Sequence, residues 1–175
     1  NHISFAAFAN DLKDRVFTVN GFAKGWAMTG WRLGYLVGKK EVIKASSTLQ
    51  SQSTSNVCSF VQRGGLAALN IKKEFFDEIN SKFDERRDIL CKGLIKIKGI
   101  YIEPPNGAFY AFPKLPNKKI SSVEFCKNVL EDYGLVVVPG KAFGDDQCIR
   151  ISCASSKKKI LDGLSRLEKA VKSYY

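Results

Sequence analysis

Histidine is almost missing: His2 is the only one in 175 residues. That removes every multi-histidine metal site and leaves any Ser-His-Asp triad dependent on a residue at the terminus. The five cysteines, Cys58, Cys91, Cys126, Cys148 and Cys153, are an odd set without a Cys-x-x-Cys spacing, which argues against a disulfide framework and a structural zinc site. Reduced thiols are the expectation. No uninterrupted apolar run approaches the ~20 residues of a membrane span, and no charged-then-apolar leader opens the chain at Asn1, so the expected location is cytoplasmic, with no membrane partner. Acidic residues are few, 17 against 28 basic ones, giving a net charge of +11. Arginine is scarce within that excess, and the basic residues are scattered, whereas groove-reading proteins cluster arginine and lysine on one face. The charge is read as a solvated lysine-rich surface that steers anions, not as a nucleic-acid site.

A chain of this length that is 45% hydrophobic can bury a core as one domain or two small pieces. The first residues are unpatterned and read as entering a fold midway. Arg15 to Val19 is β-rich and breaks at Asn20-Gly21, and Arg32 to Gly38 is a second β-like run. Lys24 falls on the connection between them, where sites are usually built. Glu41 to about Gln50 reads as a helix. Ser51 to Asn56 is too polar for core, and Val57 to Leu69 suggests a helix buried on more than one side. From Lys72 to about Leu94, Phe76, Ile79, Phe83, Leu90 and Leu94 recur at helical spacing. Ile100 to Glu103, Pro104 to Gly107 and Ala108 to Phe112 read as strand, turn, strand. Ser121 and Glu124 form a capping box for a helix to Tyr133, stopped by Gly134, with Phe125, Val129, Leu130 and Tyr133 as its apolar face. Leu135 to Val138 and Cys148 to Ser152 are short strands. A last helix over about 157–172 places Ile160, Leu161, Leu164, Leu167 and Val171 on one face.

The connection Asn20 to Tyr35 is the chemical centre of the sequence. A lysine becomes a nucleophile when its proton is easily lost, and desolvation by Phe22, Trp26 and Trp31 would act in that direction. Gly21, Gly25, Gly30 and Gly34 would let backbone approach a bulky cofactor and take positive φ. Arg32 offers a planar fork for a phosphate dianion. An amine for an aldehyde and a guanidinium for a phosphate suggest pyridoxal phosphate, although glycine clusters are also ordinary turns and such a Lys/Arg pair can be solvated surface. Arg150 alternates in phase with Cys148 and Ser152, opposite Ile149, Ile151 and Cys153. A guanidinium so placed needs an anion, either a protein carboxylate or a substrate carboxylate held by two parallel bonds.

The run Thr18 to Tyr35 resembles the cofactor-lysine segment of class I aminotransferases, the fold-type I pyridoxal phosphate enzymes, and most resembles the prokaryotic aspartate aminotransferase branch. Three further blocks match in order: Ser51-Gln52-Ser53-Thr54-Ser55, Pro105 to Tyr110, and Val137-Val138-Pro139-Gly140 with Phe143-Gly144 and Ile149-Arg150-Ile151-Ser152. The resemblance runs from about Ser4 to the C-terminus. It implies that Lys24 binds the aldehyde of pyridoxal 5'-phosphate and shuttles the substrate proton, that Arg32 and Gly21 lie at the cofactor, and that Arg150 grips the substrate α-carboxylate. The Ser51 to Ser55 block is either a helix cap or lies near the cofactor and a subunit interface.

The resemblance further implies an α/β fold: residues 1–70 are the end of the large cofactor-binding domain, 71–98 a linking helix, and 99–175 a small α+β domain. It implies an enzyme exchanging an amino group between an amino acid, aspartate or glutamate being favoured, and a 2-oxo acid, working as a homodimer without metal. Aromatic, prephenate or alanine specificity, or a non-catalytic domain keeping the fold, are the alternatives. Two departures matter. Ala23 precedes the lysine where many relatives carry serine, and Gly21 stands where another branch has a phosphate-binding serine. In the family the glycine-rich phosphate loop, the ring-stacking aromatic and the aspartate facing the ring nitrogen all lie upstream of the matched region. This chain is therefore expected to be about the C-terminal half of an enzyme, inactive by itself.

Overall fold

The computed structural model describes residues 3–8, 12, 14–116 and 120–175; His2 lies outside them. The chain divides into two compact units, 1–72 and 73–175.

The first unit holds a two-stranded antiparallel sheet and two helices. Strand β1 (Thr18–Gly21) pairs with β2 (Gly34–Val37) in the register Thr18↔Val37 to Gly21↔Gly34. Glycine at both ends of that last pair suits a close approach: a Cβ on Gly34 would sit 3.0 Å from the Asn20 carbonyl oxygen. Helix α1 (Lys40–Ser53) follows, then α2 (Ser59–Leu69). Helix α2 buries Val61, Gly65 and Ala68, one face at i, i+4, i+7. The expected burial on more than one side is not seen, because Phe60, Leu66 and Leu69 are exposed.

The second unit contains the larger core. Helix α3 (Lys73–Lys96) buries Leu90, Cys91 and Leu94 and packs on α5 (Lys157–Tyr174). Gly93 lets the two helices meet, since a Cβ there would stand 2.3 Å from Leu164 Cδ1. Strands β3 (Tyr110–Ala111), β4 (Val138–Pro139) and β5 (Ile149–Ser152) make an antiparallel sheet with β5 in the centre. Pro139, which lacks an N–H, sits on an edge strand as such residues must. Leu94, Phe125, Val129, Ile149 and Leu167 are at most 1% exposed and anchor the core. Each fully buried side chain of that size contributes about 1.5–3 kcal/mol.

Helix α4 (Ser122–Tyr133) begins and ends where its signals place it. Ser121 Oγ accepts from the Glu124 N–H at 3.1 Å, and Gly134 closes the helix at φ 60°. Its buried face differs from expectation: Ser122, Phe125, Cys126 and Val129 are inside, while Leu130 is half exposed. On α5, Leu161 likewise faces out and Ala170 faces in. The expected hairpin over 100–112 gives way to a single bridge from Tyr101 to Lys114, a residue beyond β3. Pro104 and Pro105 remove two consecutive N–H donors, so a ladder cannot run through them. Among the described residues no helix is long and apolar enough to cross a membrane.

Candidate functional site

The lysine connection is a braced turn. The Phe22 N–H donates to the Leu33 carbonyl at 3.1 Å and closes its neck, the Met28 N–H donates to the Phe22 carbonyl at 3.3 Å, and the Ala27 N–H donates to the Lys24 carbonyl at 3.2 Å. Phe22 and Met28 are buried against Ala68 of α2, with Trp26, Leu33 and Tyr35 packed around them. The Trp26 ring lies 4.9 Å from Phe22 and its Nε1 donates to the Ala68 carbonyl at 2.9 Å. Lys24 itself is exposed. Phe22 and Trp26 join the small core while Trp31 stays exposed, so the lysine residue is not enclosed as the expected desolvation by Phe22, Trp26 and Trp31 would require; large rings gain most by packing into a core.

The glycine expectation also changes. None of Gly21, Gly25, Gly30 or Gly34 has positive φ; the left-handed positions are Ala27 (φ 53°) and Arg32 (φ 52°). Gly21 and Gly34 face each other across the strand pair, where a side chain would crowd the facing backbone. Two glycines without an assigned role in the sequence likewise make room for a neighbour, since a Cβ on Gly64 would stand 2.3 Å from Trp31 Cζ3, and one on Gly65 2.5 Å from Leu33 Cδ2. Consecutive glycines inside a helix cost about 1 kcal/mol each against alanine, a signal that something packs against them.

Arg32 follows the 3-10 turn Thr29–Trp31, and its Nη1 donates to the Thr29 carbonyl at 2.8 Å. It opens onto a cleft lined by Trp31, Gln50, Thr54, Asn56 and Cys58. The Ser51 to Ser55 block ends α1, as the helix-cap reading expects. Ser51 and Ser53 donate their hydroxyls to the Thr48 and Gln50 carbonyls in the last turn of α1, and Thr54 caps the helix while lining the Arg32 cleft. The cleft gathers hydroxyl and amide groups around an exposed guanidinium, a chemistry suited to an anion.

Arg150 belongs to the second unit, on the central strand in register with Val138. Its guanidinium carbon lies over the Tyr110 ring at 4.3 Å and the Phe143 ring at 4.5 Å. Among the described residues no carboxylate forms an ion pair with it, so the internal salt bridge that the sequence left open is not made there. Phe143 cannot be read from the sequence as a partner of Arg150, because the 3-10 turn Gly140–Phe143 that carries it has no periodic signature.

Residues 2–167 match the family described as "Aminotransferase class I and II". The chain belongs to that family. Among its relatives, the probable aspartate/prephenate aminotransferase of Aquifex aeolicus (strain VF5) is 41% identical over 174 residues, covering 97% of this chain and 44% of that protein. The crystal structure of the aspartate aminotransferase from Rhizobium meliloti superposes with a TM-score of 0.88 at 38% identity, covering 98% of this chain and 45% of the other. The aromatic aminotransferase from Pyrococcus horikoshii OT3 gives 0.90 at 32% identity, with 99% and 47% covered. The chain thus spans less than half the length of these relatives, and its α/β fold is theirs over that length.

Proposed function

We propose that the complete protein is a pyridoxal 5'-phosphate-dependent aminotransferase that exchanges an amino group between aspartate or glutamate and a 2-oxo acid, and that this chain supplies Lys24, Gly21, Arg32 and Arg150 to its site. The observation that carries the reading is the exposed Lys24 on a turn braced by Phe22, Met28 and Trp26, in a chain of the aminotransferase family. The first unit fits such a cofactor. An accessible amine can meet an aldehyde, and Arg32, engaged through one donor at Thr29, retains fork donors for a phosphate.

When bound, the cofactor supplies an aldehyde to receive the amino group and an electron-withdrawing ring. Lys24 would hold that aldehyde, and its Nζ would take the α-proton of the substrate as general base and return a proton as general acid. Gly21, without a side chain beside Gly34, keeps the backbone low at the neck of the connection. Arg150 receives the α-carboxylate in two parallel N–H···O bonds. The net charge of +11 draws anionic substrates inward. The functional unit is a homodimer, as the family resemblance implies. Prephenate is the second acceptor to consider, since the Aquifex aeolicus relative carries that name.

Borohydride reduction of the complete protein followed by peptide mapping tests the assignment. A pyridoxyl group on Lys24 is expected, and a label confined to Lys39, Lys40 or any other lysine would refute it.

A further inference from the structure

We propose that Tyr110 and Phe143 are positioning residues that hold the Arg150 guanidinium in one orientation, with its in-plane donors available to a carboxylate. The proposal rests on the functional reading above and extends it to how the carboxylate grip is made ready.

A guanidinium presents two faces and an edge: aromatic rings attract the faces, and carboxylates bind the edge, where all five N–H donors lie. In this chain the guanidinium carbon lies over two rings, Tyr110 at 4.3 Å and Phe143 at 4.5 Å. Among the described residues the edge forms no ion pair. A salt bridge to a protein carboxylate would have ordered the side chain by consuming the donors a substrate needs. Ring contact orders it without consuming them. An arginine carries about 2 kcal/mol of rotamer entropy, so ordering it beforehand strengthens carboxylate binding by reducing what is lost on contact.

The two rings are themselves fixed. Tyr110 is paired with Ser152 across the ladder and its ring lies 4.4 Å from Phe109. Phe143 stands edge-on to Phe112 at 6.1 Å, at the end of a turn closed by Gly144 at φ 94°. The start of that turn is held at two points. Gly140 donates its N–H to the Cys148 carbonyl at 2.8 Å. Fully buried Ser122 accepts from the Lys141 N–H at 3.2 Å and donates its hydroxyl to Asp146 Oδ1 at 2.7 Å, while its own N–H reaches the same oxygen at 3.0 Å. Support thus passes from the first residue of α4 through the 140–146 loop to Phe143, and from Phe143 to Arg150.

The test uses the complete enzyme with aspartate and 2-oxoglutarate. Phe143→Leu and Tyr110→Leu are each expected to raise KM for aspartate about tenfold, the scale of one desolvated ring contact, with kcat changed by less than about threefold and Lys24 labelling intact. Phe143→Tyr is expected to restore most of the loss. An unchanged KM in both leucine variants overturns the proposal, as does a rise that Phe143→Tyr does not rescue and that comes with loss of the Lys24 label. If the parent enzyme transaminates nothing, the functional reading fails, and 15N relaxation of Arg150 Nε–H in the complete protein decides the positioning role. An ordered group freed by Phe143→Leu upholds it, and a group already mobile in the parent overturns it.

Discussion

The guanidinium carbon of Arg150 stands 4.3 Å from the centre of the Tyr110 ring. With no ion-pair partner among the described residues, this arginine is ordered by aromatic faces. Arg150→Ala in the complete enzyme is therefore expected to weaken amino-acid binding by roughly 2 to 5 kcal/mol, the range for truncating one partner of a buried charge pair. Cofactor retention should hardly move. Substrate affinity within threefold of the parent, combined with loss of cofactor, would make Arg150 a structural residue.

Gly140→Ala should be among the most damaging single-carbon additions in the second unit. The added Cβ would stand 2.2 Å from the Cys148 carbonyl oxygen and 2.3 Å from that of Asp145, and backbone on both sides leaves no flexible group to yield. A loss of about 2 to 4 kcal/mol in urea unfolding is expected. Gly107→Ala, where a Cβ meets nothing within 4 Å, is the control, and equal stability of the two variants would contradict this packing.

Alkaline pH should destabilise the second unit through its thiols. Burial pushes Cys126 up to about 11; burial first, then the neighbouring Asp145 carboxylate, does the same to Cys148. A thiol with a raised native pKa keeps its proton in the fold while the unfolded chain releases it. Its contribution is intact below about pH 9 and declines as pH rises toward 11, by up to roughly 2 to 3 kcal/mol per thiol. Urea titrations between pH 8 and 11 should register the decline, and Cys126→Ala should flatten it. A profile identical in the two chains would show that Cys126 is not a source.

Hydrogen exchange should separate the units. Amides of Leu94, Phe125, Val129, Ile149 and Leu167 belong to an extensive core and should exchange slowest. Those of β1 and β2 form a two-stranded ladder with Val19 and Val37 exposed, a marginal arrangement in water, and should exchange much faster. Comparable protection in both would mean that the small core of Phe22, Met28 and Ala68 stabilises more than its size suggests.

Short-range chemistry is legible in the sequence, and long-range contact is not. Ser121, Glu124 and Gly134 mark the ends of α4 because a cap is settled by residues within one turn. Lys24 falls between two strands for the same reason: Asn20-Gly21 breaks one run and Gly38 ends the next. Leu130 and Leu161 share the period of their buried faces yet lie outside them, because helical spacing gives the phase of a stripe but not its width, and tertiary neighbours decide which flanking position is covered. The same limit hides Phe143 at Arg150 and Gly64 at Trp31, pairings that only the folded chain brings together. Nor does sequence proximity settle whether Lys24 is covered, since aromatic neighbours can pack beneath a turn as readily as over it.

Both tryptophans of the chain, Trp26 and Trp31, lie on the connection that carries Lys24. One indole is bonded to the Ala68 carbonyl and the other rests against Gly64, so the two emitters sit in different surroundings a few residues from the amine. All tryptophan fluorescence from this chain therefore originates at the lysine turn. Changes in its wavelength or quenching report on that turn alone, giving an intrinsic optical gauge of the site that needs no added dye and no turnover.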